Sequence, residues 1–148
     1  MLANASRDAF RAWLDRVRRE WLPFATILDG RVVGSTSYGN VRERDRVVEI
    51  GNTWIAPAAW GSGANTEAKL LLLRHAIEDE GFRRVEFKTE AANERSRAAL
   101  AAFAEFEGVF RKHMVVRDGE RRDSAWYAVI DDDWPDVRAS LERRLAAG

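Results

Sequence analysis

The chain has no cysteine, and this absence removes several kinds of chemistry. Thiol nucleophiles, disulfides and thiolate metal sites are all excluded. Histidine is also scarce: only His75 and His113 are present, and without cysteines no zinc-ligand spacing appears. We assign both histidines to surface or packing positions and expect no metal. A chain without cysteine is most easily reconciled with a reducing cytosol, so we expect a cytoplasmic protein.

No charge of one sign is in excess, because 24 lysines and arginines balance 24 aspartates and glutamates. This balance gives no overall attraction for nucleic acid or an anionic membrane. No run approaches the roughly 18 apolar residues of a membrane span, and the N-terminus lacks a signal-peptide core. We therefore expect no nucleic-acid or membrane partner. The basic run 110–123 keeps a nucleic-acid-binding adaptor as a weaker alternative.

The 148 residues, 46% of them hydrophobic, fit a single domain over residues 1–148. Apolar periodicity and turn residues predict four helices and six strands. The order favours a mixed α/β (α+β) fold: a largely antiparallel sheet with a parallel pair in its middle, covered by helices. The predicted elements are a helix from the Ser6 cap to Glu20; strands 22–28 and 31–38 around Asp29-Gly30; a polar turn 40–46; strand 47–55; a helix from about Gly63 to Glu80, ended by Gly81; strand 82–90; a helix from the Asn93 cap to about Ala102; strands 108–116 and 122–130 around Asp118-Gly119; and a helix capped by Asp133.

Strand 47–55 leads into a loop with two glycines, APAAWGSGANTEAK (56–69). Strict alternation along this strand would place Val47, Glu49, Gly51 and Thr53 on one face and Val48, Ile50, Asn52 and Trp54 on the other. Backbone N–H groups of a glycine loop at the start of a helix lie at the positive end of its dipole, where they bind phosphate. Ser62, Asn65 and Thr66 can add side-chain donors. Neither a Walker P-loop nor a Rossmann loop matches, and a flexible strand-to-helix turn is the alternative.

Four separated segments, in this order, resemble the GNAT superfamily of N-acetyltransferases. They are VEIGNTWIAP, the loop with NTEAKLLLLRHA, VEFKTEAANERSRAAL, and GVFRKHMVVRDGERRDSAWYAVI. The likeness spans roughly residues 6–146 and is greatest for the branch that includes ribosomal-protein N-terminal acetyltransferases. It implies a GNAT-like fold of about six strands and four helices.

The resemblance implies that the glycine loop wraps the pyrophosphate of acetyl-CoA. Trp60 and Asn65 align with the ends of the family's R/Q-x-x-G-x-G/A motif, Gly63 matches it, and Gly61 is an extra glycine. The cofactor-binding residues that it implies are Trp54, Ile55, Trp60, Gly61, Ser62, Gly63, Ala64, Asn65, Thr66 and Asn93.

The resemblance also implies catalytic roles. It places Glu49 near the acceptor amine as a general base, directly or through water, and an ordinary ion-paired glutamate is the alternative. Leu100 stands where many members have an acidic tyrosine, so Ser96 is the candidate proton donor to the leaving thiolate. Backbone N–H groups near Trp54 and Ile55 would stabilise the oxyanion. Asn93 and Ser96 have helix capping as their alternative role. The acceptor pocket is assigned to Asn52, Trp126 and Tyr127; the two aromatics point to opposite faces of the last strand, so we expect one of them to line the pocket and the other to join the core.

These inferences predict an acetyl-CoA-dependent N-acetyltransferase that acts on a primary amine in a ternary complex, since no cysteine can carry an acyl group. A protein N-terminus, an antibiotic, a polyamine and an amino acid all remain possible acceptors. The alternative is a catalytically silent CoA-binding or dimerisation module. The family's usual first strand and helix have no counterpart before Ser6, so we expect an N-terminally truncated domain whose open sheet edge is covered in a homodimer.

Overall fold

The computed structural model describes residues 6–116 and 119–148, and it confirms the predicted mixed α/β fold. Six strands form one sheet in the order β1-β2-β3-β4-β6-β5, in which only the β3–β4 pair is parallel. No helix in these ranges is long and apolar enough to cross a membrane. The elements are α1 (Arg7–Glu20), β1 (Leu22–Leu28), β2 (Arg31–Arg42), β3 (Val47–Ile55), α2 (Ala64–Arg74), β4 (Arg84–Glu90), α3 (Glu94–Ala101), β5 (Glu105–Val115), β6 (Arg121–Ile130) and α4 (Trp134–Ala147).

Several element ends differ from the prediction. β2 continues to Arg42, because Gly39 pairs with Glu49 and Arg42 pairs with Val47, so the polar turn is shorter than 40–46. α2 gives way to one π-helical turn, His75–Asp79, before Gly81 takes the expected left-handed φ of +69°. β5 begins three residues early, at Glu105. Asp118 of the second predicted hairpin lies outside the described residues.

The predicted helix caps have different outcomes. Ser6 Oγ accepts a hydrogen bond from the Ala9 amide, and Asn93 Oδ1 accepts one from the Ser96 amide. Both bonds satisfy amides that have no partner inside their helix. Asp133 is the N-cap residue of α4, as predicted, but its side chain makes no capping hydrogen bond; Pro135 in the first turn of α4 removes one of the donors that such a bond would use.

The two faces of the sheet are covered differently. Helices α2, α3 and α4 pack on one face and enclose the core. Helix α1 lies on the other face, where Phe10 contacts the Trp54 ring edge-on at 6.2 Å. The most deeply buried large side chains of the core are Phe87, Ile50, Leu73, Leu141, Val48, Val85 and Val129.

A β-bulge in β3 changes which side chains share a face. The β2–β3 register shifts between the Ser37–Gly51 and Ser35–Trp54 pairs, and Asn52 takes a φ of +50°. Beyond the bulge Trp54 lies on the α1 face and Thr53 on the α2 face. The predicted alternation is therefore wrong after Gly51, because the extra residue of a bulge reverses the facing of those that follow.

Lys69 of α2 is buried beneath this bulge. Its Nζ lies 2.9 Å from Thr53 Oγ1 and 3.2 Å from Thr36 Oγ1, and the two hydroxyls lie 2.9 Å apart. The lysine is only 4% exposed, and burial lowers its pKa to about 7. A charged ammonium is costly in such an environment unless it is paired, so Lys69 titrates close to neutrality.

Lys69→Met should flatten the pH dependence of stability. Since the pKa of Lys69 is about 7 in the fold and roughly 10.4 in an unfolded chain, the unfolded state binds more protons between these values. The free energy of unfolding of the wild type should therefore rise with pH in this window, by up to about 1.4 kcal/mol per pH unit. Urea unfolding from pH 6.5 to 9.5 measures the difference. The control is exposed Lys112→Met, which should keep the wild-type slope; equal slopes in all three proteins would contradict the shift.

Gly39 provides the space that Trp21 occupies at the end of α1. A Cβ on Gly39 would lie within 2.6 Å of three atoms of the Trp21 indole. The same ring lies 3.1 Å from the position of a Cβ on Gly51. The two glycines sit on neighbouring strands, β2 and β3, so the indole fixes α1 against both.

Gly39→Ala should lower the free energy of unfolding by about 1–3 kcal/mol, because the methyl group overpacks this contact. Urea denaturation measures the loss. Adding Trp21→Leu should remove most of the penalty of the methyl group, since the clashing ring is gone. If the losses of unfolding free energy caused by the two substitutions simply add, the contact with Trp21 is not the cause of the destabilisation by Gly39→Ala.

Candidate active site

A gap opens in the middle of the sheet, where β3 and β4 separate. These strands pair only at Val47–Arg84, Val48–Val85 and Glu49–Glu86. Beyond Glu49, β3 has no ladder partner on the β4 side among the described residues, and this stretch includes Trp54 and Ile55. Backbone groups that leave a ladder can donate to or accept from a ligand. Trp54 and Ile55, whose amides are the expected oxyanion donors, therefore lie beside the gap.

The glycine loop borders the gap and requires glycine for its conformation. Gly61 has a φ of +75° and Gly63 a φ of +84°, values that other residues adopt only with strain. A Cβ on Gly61 would meet no atom within 4 Å, and one on Gly63 would meet only Leu145, at 3.6 Å. The loop therefore leaves its outer side open. Gly63 is the N-cap of α2 and supplies no side-chain cap, so the first-turn amides of Asn65 and Thr66 remain available for an anion.

Ser62 stabilises the loop from within. Its hydroxyl donates to the Ala59 carbonyl at 2.6 Å and accepts from the Ala64 amide at 3.3 Å. Its single proton is thus used inside the loop, and it is not free to act as the predicted donor to a ligand. Asn65 Oδ1 is buried without a hydrogen-bond partner in the described part of the chain, and Thr66 is half-buried. The backbone amides are left as the main donors.

Trp60 occupies the exposed shoulder of this loop. Its indole Nε1 donates to the Ile55 carbonyl at 2.9 Å, and 52% of the residue is exposed. The Arg95 guanidinium lies over the ring, 3.3 Å from its centroid. Sequence reasoning missed Arg95, and its position two residues after Asn93 was the only available signal.

Asn93 and Ser96 begin α3 directly after β4, on the opposite side of the gap from the loop. Both residues are half-buried, and the hydrogen bond from the Ser96 amide to Asn93 Oδ1 confirms the capping role of Asn93, with Ser96 supplying the capped amide. Capping uses the Ser96 amide and leaves its hydroxyl free to take part in chemistry. A catalytic role for Ser96 stays a prediction.

Glu49 lies at the point where the two strands separate, and it is only 2% exposed. Asn40 Nδ2 donates to its carboxylate at 2.6 Å, and Lys88 Nζ lies 3.3 Å from it. The ion-paired alternative for Glu49 is therefore present in the structure. A buried carboxylate with a cation and an amide donor keeps its charge balanced. Asn40 and Lys88 come from neighbouring strands, and no sequence pattern indicated either contact.

The two aromatic residues predicted for the acceptor pocket face opposite sides of β6. Trp126 lies on the same side as Glu49, and the Lys88 ammonium is 5.3 Å from the centre of its ring. Tyr127 is 2% exposed and belongs to the core, where its hydroxyl accepts from Arg97 Nε. Trp126 is thus the one of the pair that can meet a substrate, and the structure does not place Tyr127 there.

His113 extends the Trp126 side of the site. Its ring lies 5.4 Å from the Trp126 ring, and its Nδ1 is 3.0 Å from Ser124 Oγ. Burial and the nearby cations Lys88 and Arg122 lower the pKa of His113, so its imidazole is neutral at pH 7. The expected packing role is present. His75 is exposed and contacts Asp79, which fits the expected surface role.

Two kinds of surface meet at the gap. The loop amides and the start of α3 can hold an anionic ligand that enters between the strands. Glu49, Lys88 and Trp126 lie on the α1 side and can hold and deprotonate an amine. Asn52, assigned to the acceptor pocket, sits at the bulge between these surfaces.

The chain matches a known family and several solved structures. Residues 2–103 match the Acetyltransferase (GNAT) domain family. A T. thermophilus protein described as an acetyltransferase is 40% identical, with a TM-score of 0.89 over 95% of this chain and 76% of that one. A GCN5-related N-acetyltransferase from Brucella melitensis is 35% identical, with a TM-score of 0.87 over 95% and 66% of the two chains.

A third structure contains a related ligand. Mycobacterium smegmatis RimJ, solved in complex with CoA-disulfide, is 29% identical, with a TM-score of 0.77 over 95% of this chain and 69% of that one. No curated protein matches the chain. Because the family match covers more than half of the sequence and runs through the glycine loop and the start of α3, the chain belongs to the GNAT acetyltransferase family.

Proposed function

We propose that this protein is an acetyl-CoA-dependent N-acetyltransferase that moves an acetyl group to a primary amine by direct attack in a ternary complex. Membership of the family supports acetyl transfer in general. The observation that carries the proposal is the gap between β3 and β4, which has uncapped amides of α2 on one side and the buried carboxylate of Glu49 on the other.

Acetyl-CoA fits the donor side of the gap. The open side of Gly61 and the uncapped start of α2 suit the diphosphate, since bare backbone permits its close approach. Asn93, at the start of α3, would bind the pantetheine arm. The CoA-disulfide bound to the RimJ relative supports this choice of cosubstrate.

Glu49 accepts the proton that the acceptor ammonium must lose. A lysine-like amine is neutral in only about one molecule in a few thousand at pH 7, so a base is required. Because the Glu49 side chain is 2% exposed, we propose that it acts through an intervening water. Asn40 and Lys88 hold the carboxylate in place during the transfer.

The remaining steps use backbone amides and one hydroxyl. The amine forms a bond to the thioester carbonyl carbon, and the carbonyl oxygen takes up negative charge. Amides near Trp54 and Ile55 donate to that oxygen. When the carbonyl re-forms and the carbon–sulfur bond breaks, the Ser96 hydroxyl donates its proton to the departing thiolate. The nitrogen loses its extra proton, which restores the Ser96 hydroxyl, and the products are the acetylated amine and CoA.

Binding and turnover separate this proposal from the silent-module alternative. Acetyl-CoA should raise the melting temperature under both hypotheses. Only an enzyme releases thiol when amines are added, so a panel of peptide N-termini, aminoglycosides, polyamines and amino acids should include an acceptor. No melting shift with millimolar acetyl-CoA would refute both, and a shift without thiol release for any amine would favour the silent module.

Glu49→Gln should lower turnover by about 10²- to 10⁴-fold, because the amide cannot accept the proton. Acetyl-CoA affinity should stay at the wild-type value, since Glu49 lies on the acceptor side. Steady-state thiol release and calorimetry measure the two quantities. Exposed Glu43→Gln in the β2–β3 turn is the matched control and should turn over normally. Unchanged turnover in Glu49→Gln would exclude Glu49 as the base.

We also propose that a homodimer covers the free edge of the sheet at β1. Within residues 6–116 and 119–148, β1 pairs only with β2. Apolar side chains of both strands are exposed: Leu22 and Ile27 of β1 by 60% and 64%, and Val32 of β2 by 66%. Such an edge favours pairing with another strand. Light scattering should give the dimer mass for the wild type and the monomer mass for Ile27→Lys; a monomeric wild type would exclude the dimer. The expected cytoplasmic location stays a prediction.

A further inference from the structure

The glycine loop carries no positive side chain of its own. From Val47 to Ala68 the sequence contains no lysine or arginine. The next cation, Lys69, is buried and hydrogen-bonded to Thr36 and Thr53, so it does not reach the surface of the loop. A ligand with several phosphate charges would meet amides there but no cation from this segment.

Arg95 supplies that cation from α3, across the gap. Its guanidinium carbon lies 3.3 Å from the centre of the Trp60 ring, directly beside the first glycine of the loop. The indole is itself fixed, because its Nε1 donates to the Ile55 carbonyl at the end of β3. One contact therefore joins the two segments that border the donor site, although they are more than 30 residues apart in sequence.

The stacked guanidinium remains able to bind an anion. The contact with the indole runs through the guanidinium carbon, and arginine carries five N–H donors with which it can bind an anion. No described carboxylate lies within 4.0 Å of the Arg95 guanidinium. Arginine binds phosphate through two parallel hydrogen bonds, which gives both strength and orientation.

We propose that Arg95, held on Trp60, binds a phosphate group of coenzyme A and makes the donor site select CoA thioesters over phosphate-free pantetheine thioesters. This inference rests on the proposed acetyl-CoA site. Trp60 acts as a positioning residue: it holds the guanidinium beside the loop amides, so that cation and amides act on one ligand.

Calorimetry with CoA, dephospho-CoA and phosphate-free pantetheine tests the inference. Charge-assisted hydrogen bonds contribute about 1.5–3 kcal/mol, so Arg95→Ala should weaken CoA binding roughly 10- to 150-fold. Arg95→Lys should recover part of this loss, because a lysine keeps the charge but not the paired geometry. Exposed Arg143→Ala on α4 is the matched control and should bind CoA like the wild type.

The ligand series identifies the phosphate. If Arg95 binds the 3′-phosphate, removing that phosphate should weaken wild-type binding as much as the substitution does, and Arg95→Ala should bind CoA and dephospho-CoA equally. If Arg95 binds the diphosphate, the substitution should weaken the binding of both by the same factor. In either case, the slope of log Kd against log salt should be smaller for Arg95→Ala.

Trp60 variants test the positioning role. Trp60→Ala should weaken CoA binding in the wild type but much less in the Arg95→Ala background, because the two residues act as one unit. Melting curves of the free proteins show whether each variant is folded. Arg95→Ala should bind S-acetyl-pantetheine with the wild-type affinity. Its kcat/KM with this donor should also equal that of the wild type.

Two results would overturn the inference. The first is that Arg95→Ala binds CoA with wild-type affinity. The second is that Arg95→Ala loses as much kcat/KM with S-acetyl-pantetheine, which has no phosphate, as it does with acetyl-CoA. Both differ from failure of the proposed function, in which the wild type itself binds no CoA.

Discussion

The separation of β3 from β4 after Glu49 is the constraint on which the site depends. In a regular parallel pair the amides of both strands are used in the ladder, and nothing could enter between them. Here three pairs form and the strands then part, so a ligand can enter through the sheet. The bulge at Asn52 turns Thr53 toward α2, where Lys69 bonds to it. The helix that presents its amides to the donor is thereby tied to the strand that opens the gap.

A buried ionisable side chain lies against each face of β3: Glu49 of the strand itself on one face and Lys69 of α2 on the other. Glu49 has Lys88 and Asn40 as partners, so its charge is balanced. Lys69 has only hydroxyl partners among the described residues, and burial lowers its pKa to about 7. The resulting loss of stability is largest below pH 7 and fades as the pH rises toward the unfolded pKa of roughly 10.4. Glu49 lies at the gap, whereas Lys69 lies against the paired strands β2 and β3.

The proposed donor side is assembled from segments that are distant in sequence. The glycine loop follows β3, and Asn93, Arg95 and Ser96 follow β4. Parallel strands end at the same edge of the sheet, so these two segments lie on either side of one opening. The contact between Arg95 and Trp60 then closes the distance between them. The acceptor side is built from the opposite face, where Trp126 and His113 pack together.

Local patterns in the sequence predict the element order, the glycine loop before α2 and the Ser6 and Asn93 caps, because periodicity, positive φ and capping are properties of neighbouring residues. They also place Glu49 on a strand and Ser96 in the first turn of the helix that follows β4. Strand pairing in the fold sets what these patterns miss: β2 runs on to Arg42, Thr53 and Trp54 exchange faces at the bulge, and Tyr127 belongs to the core while Trp126 does not. The same fold pairs Glu49 with Lys88, Lys69 with two threonines and Arg95 with Trp60. Those pairings depend on strand register and on contacts between residues 16 to 39 positions apart, which no local pattern encodes.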